Sequence, residues 1–480
     1  MKHFWSSAVV AVLTAATALA ENPKNVILMI SDGASWGTWD LASYYQHGQK
    51  GLQSYDSFGV KLGMTTFPLN TSTVPTFTGT PQVSYDPAQA WSTAPVGPPH
   101  HFAGYQYIKA NYTDSAAAGT ALASGVKTYN NAINYDDFGQ PLPFITQIAK
   151  SFGKATGVVS SVPWTHATPA AFAAQNLSRN NYSAIGAQMI NETTLDVIMG
   201  GGNPDFDNNG QPRATPNYAY VGATTWNALK NGTAGGSRPW TLIEEKSAFE
   251  SLANGTIPSA DRLVGTPQVA ATLQYNRTGT GMGNFIQNVP TLVDMSKGAL
   301  NFLRAKGGDD GFFVMIEGGA VDWAAHANNT GRIIEEQIDF NQSVDAVVQW
   351  IQANGGWEEN LLIVTTDHGN GMPMGPNSDV NPFEPIQNNG AGNLPGVRWH
   401  YGTHTNENVF LFAHGAGSEL FYNYATRGID PGLRDILGFN DGRYIDNTDV
   451  FRVLNQVIPE PATALLVLLG LGALTRRRSC

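Results

Sequence analysis

"LLIVTTDHG" (361–369) runs through four apolar residues and two threonines, then stops at an acid and a histidine. A strand with one wet face would alternate apolar and polar residues. A continuous run of this length reads as a strand covered on both faces, as in a mainly parallel sheet. The same construction recurs in "NVILMISDG" (25–33), "TGVVSSV" (156–162), "GFFVMIEGG" (311–319) and "NVFLFAHG" (408–415). Helical segments lie between these runs. In "RIIEEQIDFNQSVDAVVQWIQAN" (332–354), Ile334, Ile338, Val344, Val348 and Ile351 fall roughly on one face, which predicts an amphipathic helix over the sheet. Alternating strands and helices predict an α/β fold with a central, mainly parallel sheet and helices on both faces.

Two stretches break the pattern, about 66–100 (Pro, Thr, Ser) and about 200–285 (Gly, Asn, Thr). Both read as insertions at the rim of one domain spanning 21–456, with no obvious core of their own. Within the second, "DFDNNG" (205–210) resembles the start of a calcium loop, but Pro216 stands at its twelfth position, where an EF-hand needs a glutamate. An Asx-rich turn is the simpler reading.

The formal charge of the 480-residue chain is −11, which argues against nucleic acid as a partner. If the substrate is an anion, something local and strongly positive must hold it. The single cysteine, Cys480, leaves no internal disulfide to read. Lys2 and His3 precede an apolar run ending in Ala18-Leu19-Ala20, the pattern of a secretory signal peptide over residues 1–20. At the other end, residues 457–480 combine Pro459-Glu460-Pro461, an apolar run from Ala462 to Leu474 and three arginines. That order resembles the PEP-CTERM sorting tails of Gram-negative bacteria. It implies an exosortase-type partner, transient membrane association, and a body exported to the periplasm, cell surface or medium. An ordinary C-terminal anchor is the alternative.

In open α/β sheets, ligands bind beyond the carboxyl ends of the strands. Those ends carry Asp32, Glu317 and the pair Asp367-His368, with Thr168 soon after 156–162. Singly, Asp32-Gly33 is an ordinary turn and Glu317 an ordinary cap. "EGGAVDWAAHANN" (317–329) is more specific, because Asp322 and His326, four apart, share one face of a helix and can reach one ion. His404 or His400 could supply a third ligand, and spacing does not choose between them. Together these residues offer two nitrogen-and-oxygen sites suited to zinc and one all-oxygen site suited to magnesium. Paired zinc ions clamp the attacking and leaving oxygens of an in-line displacement. Ser115, in "NYTDSAAAGTALASGVKTYNNA" (111–132), then has two readings. It is a helix cap, or it is a nucleophile whose small neighbours leave room for substrate.

"VILMISDG", "TDSAAAGTALASGVKTYNNAI", "HATPAAFAAQNLSR", "VMIEGGAVDWAAH", "IVTTDHG" and "GTHTNENVFLFAHG" stand in the order, and with the content, of the alkaline phosphatase family. The resemblance spans about residues 25–415. It implies a phosphomonoesterase with Ser115 as nucleophile, forming a phosphoserine. It further implies one zinc on Asp322, His326 and His404, a second on Asp32, Asp367 and His368, and magnesium on Asp32, Thr168 and Glu317. Arg179 would grip two phosphate oxygens, oriented by Asp114. His166 and Trp323 depart from the best-known bacterial pattern, which has an aspartate near the magnesium waters and a lysine that reaches the phosphate through water. His166 therefore leaves the third metal's identity open, and Trp323 implies weaker retention of phosphate. The family is commonly dimeric. A phosphodiesterase of the same superfamily, with a threonine nucleophile and no third metal, is the nearest rival. A non-catalytic extracellular matrix protein is a more distant one. Sulfatases fit poorly, because three alanines follow Ser115.

Overall fold

The continuous apolar runs do form buried strands. A computed structural model describes residues 22–191 and 194–459. Ten strands make one sheet: β1 (Asn25–Ile30), β2 (Val60–Thr65), β3 (Ala155–Pro163), β4 (Val197–Gly201), β5 (Trp240–Ile243), β6 (Arg262–Gly265), β7 (Phe312–Glu317), β8 (Asn360–Thr365), β9 (Val409–Gly415) and β10 (Tyr444–Asp446). Their spatial order is β10-β2-β9-β8-β1-β7-β3-β4-β6-β5. Every residue of β1, β3, β7 and β8 is buried, which is why none of them alternates.

Alternate residues of β1 feed two separate cores. Ile27 and Met29 pack on one face, and Val26, Leu28 and Ile30 on the other. The main covering helices are α1 (Trp36–His47), α2 (Ser115–Ser124), α3 (Ala167–Ala171), α4 (Leu292–Gly307), α5 (Ala320–His326), α6 (Thr330–Ala353) and α7 (Asn447–Val457). α1, α4 and α6 contribute to the first core, and α2, α3 and α7 to the second. Each large apolar side chain so covered contributes about 1.5–3 kcal/mol relative to exposure. On α6, Ile334, Val344 and Ile351 are buried as the periodicity predicts. Ile338 and Val348 are only partly covered, and Ile333, Phe340, Val347 and Trp350 widen the stripe.

One strand decides where the site forms. β9 is antiparallel to both β8 and β2, whereas every other pair in the sheet is parallel. Its beginning therefore lies at the edge where β1, β7 and β8 end. His404, ahead of β9 in the chain, reaches the same rim as Asp32, Glu317 and Asp367, which follow their strands.

The second supposed insertion is more than a rim feature. β5 and β6 lie inside it and extend the central sheet, and Trp226, Trp240, Phe249 and Leu252 are buried beside them. The first insertion also contributes to the core, since Trp91 stacks on Trp36 with ring centroids 4.5 Å apart. "DFDNNG" is an Asx turn: Asp207 Oδ1 accepts from the amides of Asn209 at 2.8 Å and Gln211 at 2.9 Å. At the C-terminal side, Val457 and Ile458 are fully buried, so the folded body runs past residue 456. The signal-peptide reading and the tail beyond Pro459 lie outside the described residues. Among the described residues, no helix is long and apolar enough to cross a membrane.

Candidate active site

Ser115 is the first residue of α2, and the cap is Asp114, whose Oδ1 accepts from the Ala117 amide at 2.9 Å. The serine hydroxyl is thereby free of capping duty, and Ser115 Oγ lies 3.2 Å from His368 Nε2. The alanines after it do not make room for substrate. All of α2 is buried, and a Cβ on Gly119 would come within 2.8 Å of the Ala171 Cβ. Small side chains are what let α2 lie close against α3, and this corrects the expectation.

Asp114 has further partners. Its second oxygen, Oδ2, accepts from Arg179 Nη1 at 3.0 Å, and its own amide is held by Asn130 Oδ1, also at 3.0 Å. Arg179 is mostly buried and lines an open cavity of about 750 Å³. That cavity is walled by Tyr112, His166, Trp323, His326 and His404 among others. His166 stands on this wall, with Nε2 3.5 Å from Arg179 Nη2 and its ring 5.6 Å from that of Trp323. Burial and the Arg179 charge push its pKa down to about 3, so the imidazole is neutral.

At the same cavity and beneath it, the predicted ligands converge in two groups joined by Asp322. In the first, Asp322 Oδ2 lies 3.4 Å from His326 Nε2, Asp322 Oδ1 3.3 Å from His404 Nε2, and the two Nε2 atoms 3.1 Å apart. In the second, His368 Nε2 lies 3.2 Å from Asp367 Oδ2 and 3.6 Å from Asp32 Oδ1. Gly33, with φ +71, makes the join possible, since a Cβ there would sit 2.7 Å from Asp322 Oδ1. Asp32-Gly33 is thus both a turn and the floor of the site. For the third site, Thr168 Oγ1 donates to Asp32 Oδ2 at 3.3 Å, and Ser160 Oγ donates to Glu317 Oε2.

These residues fit cations. All three histidines set Nδ1 against a backbone carbonyl: His326 against Gly402 at 3.1 Å, His404 against Thr113 at 2.9 Å and His368 against Gly369 at 3.3 Å. Donation from Nδ1–H to those carbonyls leaves each Nε2 lone pair aimed inward, the tautomer a metal requires. Asp32 Oδ1, Asp367 Oδ2 and Glu317 Oε1 are buried with no hydrogen-bond partner. Burial, then the Asp367 charge, raises Asp32 well above the carboxylate range. Burial and Asp322 push Asp367 up to about 6, and burial pushes Glu317 up to about 7. Burial also works to raise Asp322, but His404 and His326 outweigh it and hold that carboxylate well below its usual range. Crowded acids with orphaned oxygens and inward-facing imidazoles make a donor set for hard and borderline cations.

The structure separates His400 from His404. His400 Nε2 lies 2.7 Å from Ser378 Oγ, in a cluster with Asp379 and His101, and burial with Lys109 pushes its pKa down to about 4. His404 alone meets Asp322 and His326. Two contributors escaped the sequence reading. Asn370 Nδ2 donates to Asp322 Oδ1 at 2.6 Å, and Ser160 steadies Glu317 from the neighbouring strand. Their only signals were an amide just beyond Asp367-His368 and a serine pair inside a buried strand.

A family model described as "Alkaline phosphatase" matches residues 102–391, more than half of the chain. Alkaline phosphatase 4 of Bacillus subtilis (strain 168) is 34% identical over 288 residues, which cover 58% of this chain and 54% of that protein. Alkaline phosphatase of Escherichia coli (strain K12) is 27% identical over 392 residues, covering 73% of this chain and 71% of that one. The chain spans about half the length of the Bacillus relatives it matches. Among solved structures, the alkaline phosphatase of the Antarctic bacterium TAB5 superposes with a TM-score of 0.60 at 24% identity, over 92% of this chain and 99% of that one. The Thermus thermophilus alkaline phosphatase does so at 0.60 and 21%, over 96% and 100%. Both likenesses bear on the fold.

Proposed function

The chain belongs to the alkaline phosphatase family, and from that premise we propose that it hydrolyses phosphate monoesters through a phosphoserine at Ser115, with two zinc ions and one magnesium ion. The observation that carries this reading is the position of Ser115 Oγ, 3.2 Å from His368 Nε2, which belongs to one of the two Asp322-linked groups.

Asp322, His326 and His404 would hold one zinc, Asp32, Asp367 and His368 the other, and Asp32, Thr168 and Glu317 the magnesium. When bound, such ions supply Lewis acidity, acidifying the serine hydroxyl and later a water, and neutralising phosphoryl oxygens. The chain's own residues do the rest. The first turn of α2 presents N–H groups at Ser115, where negative charge is favoured. Arg179, pinned by Asp114, offers a planar fork to two phosphoryl oxygens, positioning them for in-line attack by Ser115 Oγ on phosphorus. The bond from phosphorus to the leaving oxygen breaks as the seryl ester forms. Water then cleaves that ester and regenerates Ser115. The neutral His166 braces the second edge of Arg179 without competing for the anion.

Hydrolysis of nitrophenyl phosphate mono- and diesters by the purified protein, before and after chelation, tests the reading. Expected are monoester turnover that is lost on chelation and restored by zinc with magnesium, and a phosphoryl group on Ser115 after acid quench. Preference for the diester would move the activity to the phosphodiesterases of the superfamily. Absence of turnover with metals bound would leave a matrix protein carrying the fold alone. We also propose an exported location, readable from the size of the full-length and secreted forms.

A further inference from the structure

His101, Asp379 and His400 come together away from the cavity. His101 belongs to the two-residue strand His101–Phe102, Asp379 to the loop after Gly375, and His400 follows the short strand Arg398–Trp399. Asp379 Oδ1 lies 3.3 Å from His101 Nε2 and 3.8 Å from His400 Nδ1. All three ligand atoms fall within 4.8 Å of one another.

The tautomer of His400 is fixed by a relay. Ser378 Oγ donates its hydrogen to the Gly375 carbonyl at 2.6 Å, so toward His400 it acts as acceptor and takes the Nε2–H at 2.7 Å. The ring is neutral and its side chain only 1% exposed, so Nδ1 is a bare lone pair facing a carboxylate oxygen. Two acceptors pointed at each other repel unless a cation lies between them. The set also has the pattern of a metal site, with imidazole nitrogens, one carboxylate and an outer hydroxyl orienting a ligand ring. Two cations oppose it. Arg398 Nε donates to the same Asp379 oxygen at 3.1 Å, but from a half-exposed side chain free to leave, and Lys109 lies near His400.

We propose that His101, Asp379 and His400 form a further zinc-class site, separate from the active-site ions, that clips the loop carrying Asp379 and the segment after Arg398–Trp399 to the strand His101–Phe102. Two nitrogens and one oxygen select zinc over magnesium or calcium. A cation bound only by the folded chain also raises the melting temperature.

The experiment is a calorimetric titration of the active, metal-loaded full-length protein with Zn²⁺. The wild type is expected to take up one further equivalent per chain that His400→Gln does not. His101→Asn serves as a second probe, because φ at His101 is +66 and asparagine tolerates that region. Arg398→Gln removes a competing cation and is expected to bind Zn²⁺ roughly tenfold more tightly. Monoester turnover should be unchanged in all three variants, which separates this site from the catalytic reading. No further equivalent in the wild type, or the same equivalent retained in both histidine variants, would overturn the proposal.

Discussion

On one wall of the cavity, Arg179 and Asp114 satisfy each other, Asp114 is tied to the Ala117 and Asn130 groups, and His166 is neutral. On another wall stand Asp322, His326 and His404, and beneath it Asp32, Asp367 and Glu317 each keep a buried oxygen with no partner, while three imidazoles turn Nε2 inward. The first wall is organised by its own hydrogen bonds. The second has a scaffold of its own but is electrostatically complete only with cations. Burial alone does not make the difference, since side chains on both walls are largely withdrawn from water. The sign and pairing of the charges do.

Asp322 is the sharpest place to break this contrast, because it serves both ligand groups. Asp322→Asn is expected to lower kcat/KM roughly 10³-fold or more and to reduce bound zinc. His326→Asn, at a half-exposed position in one group, should lose less metal. Equal metal contents in the two variants would show that Asp322 is not shared. On the other wall, Arg179→Ala should cost roughly 10²-fold in kcat/KM with metal content unchanged. Metal loss in that variant would mean the walls are not independent.

A smaller effect is expected at Trp323, which lines the cavity beside His166. Trp323→Lys adds a cation there and should tighten inhibition by phosphate several-fold. An unchanged inhibition constant would rule out the link between Trp323 and product release. The smallest effect comes from a control in α6. Burial, then Asp339 and Glu335, pushes Glu336 up to about 8 from an ordinary 4.5, with no imidazole among its shifting neighbours. Because the folded value is raised, the stability it contributes is complete below pH 4.5 and lost as pH rises through about 8. Glu336→Gln should therefore melt close to the wild type at pH 5 and several degrees above it at pH 9. A difference that is the same at both pH values would assign the effect to packing.

Several parts of this molecule were legible because their physics is local. β1, β7 and β8 are continuous apolar runs, and complete burial leaves a sequence no other option. Asp322 and His326 share a helix face by spacing alone, and the structure places them on α5 as expected. β5 and β6 were missed because four-residue strands in Gly- and Asn-rich surroundings carry almost no periodic signal. The alanines of α2 were misread because small side chains serve close packing and open pockets equally well. Ser160 and Asn370 act on ligands 157 and 48 residues away, and an amide after Asp367-His368 or a serine pair in a buried strand does not say which ligand it serves.

By itself, then, the sequence determined the layered α/β architecture, the acids at strand ends and the serine at a helix start, since each follows from a few consecutive residues and their burial. The choice between His400 and His404 belongs to the tertiary structure. The two are four residues apart, yet one meets Asp322 and the other Ser378 and Asp379. What separates them is strand pairing: His404 lies opposite Asn370, beside Asp367-His368, whereas Trp399, just before His400, lies opposite Pro373, and the reversed strand β9 then starts at the rim where its parallel neighbours end. Strand direction is set by long-range pairing, and no local pattern records it.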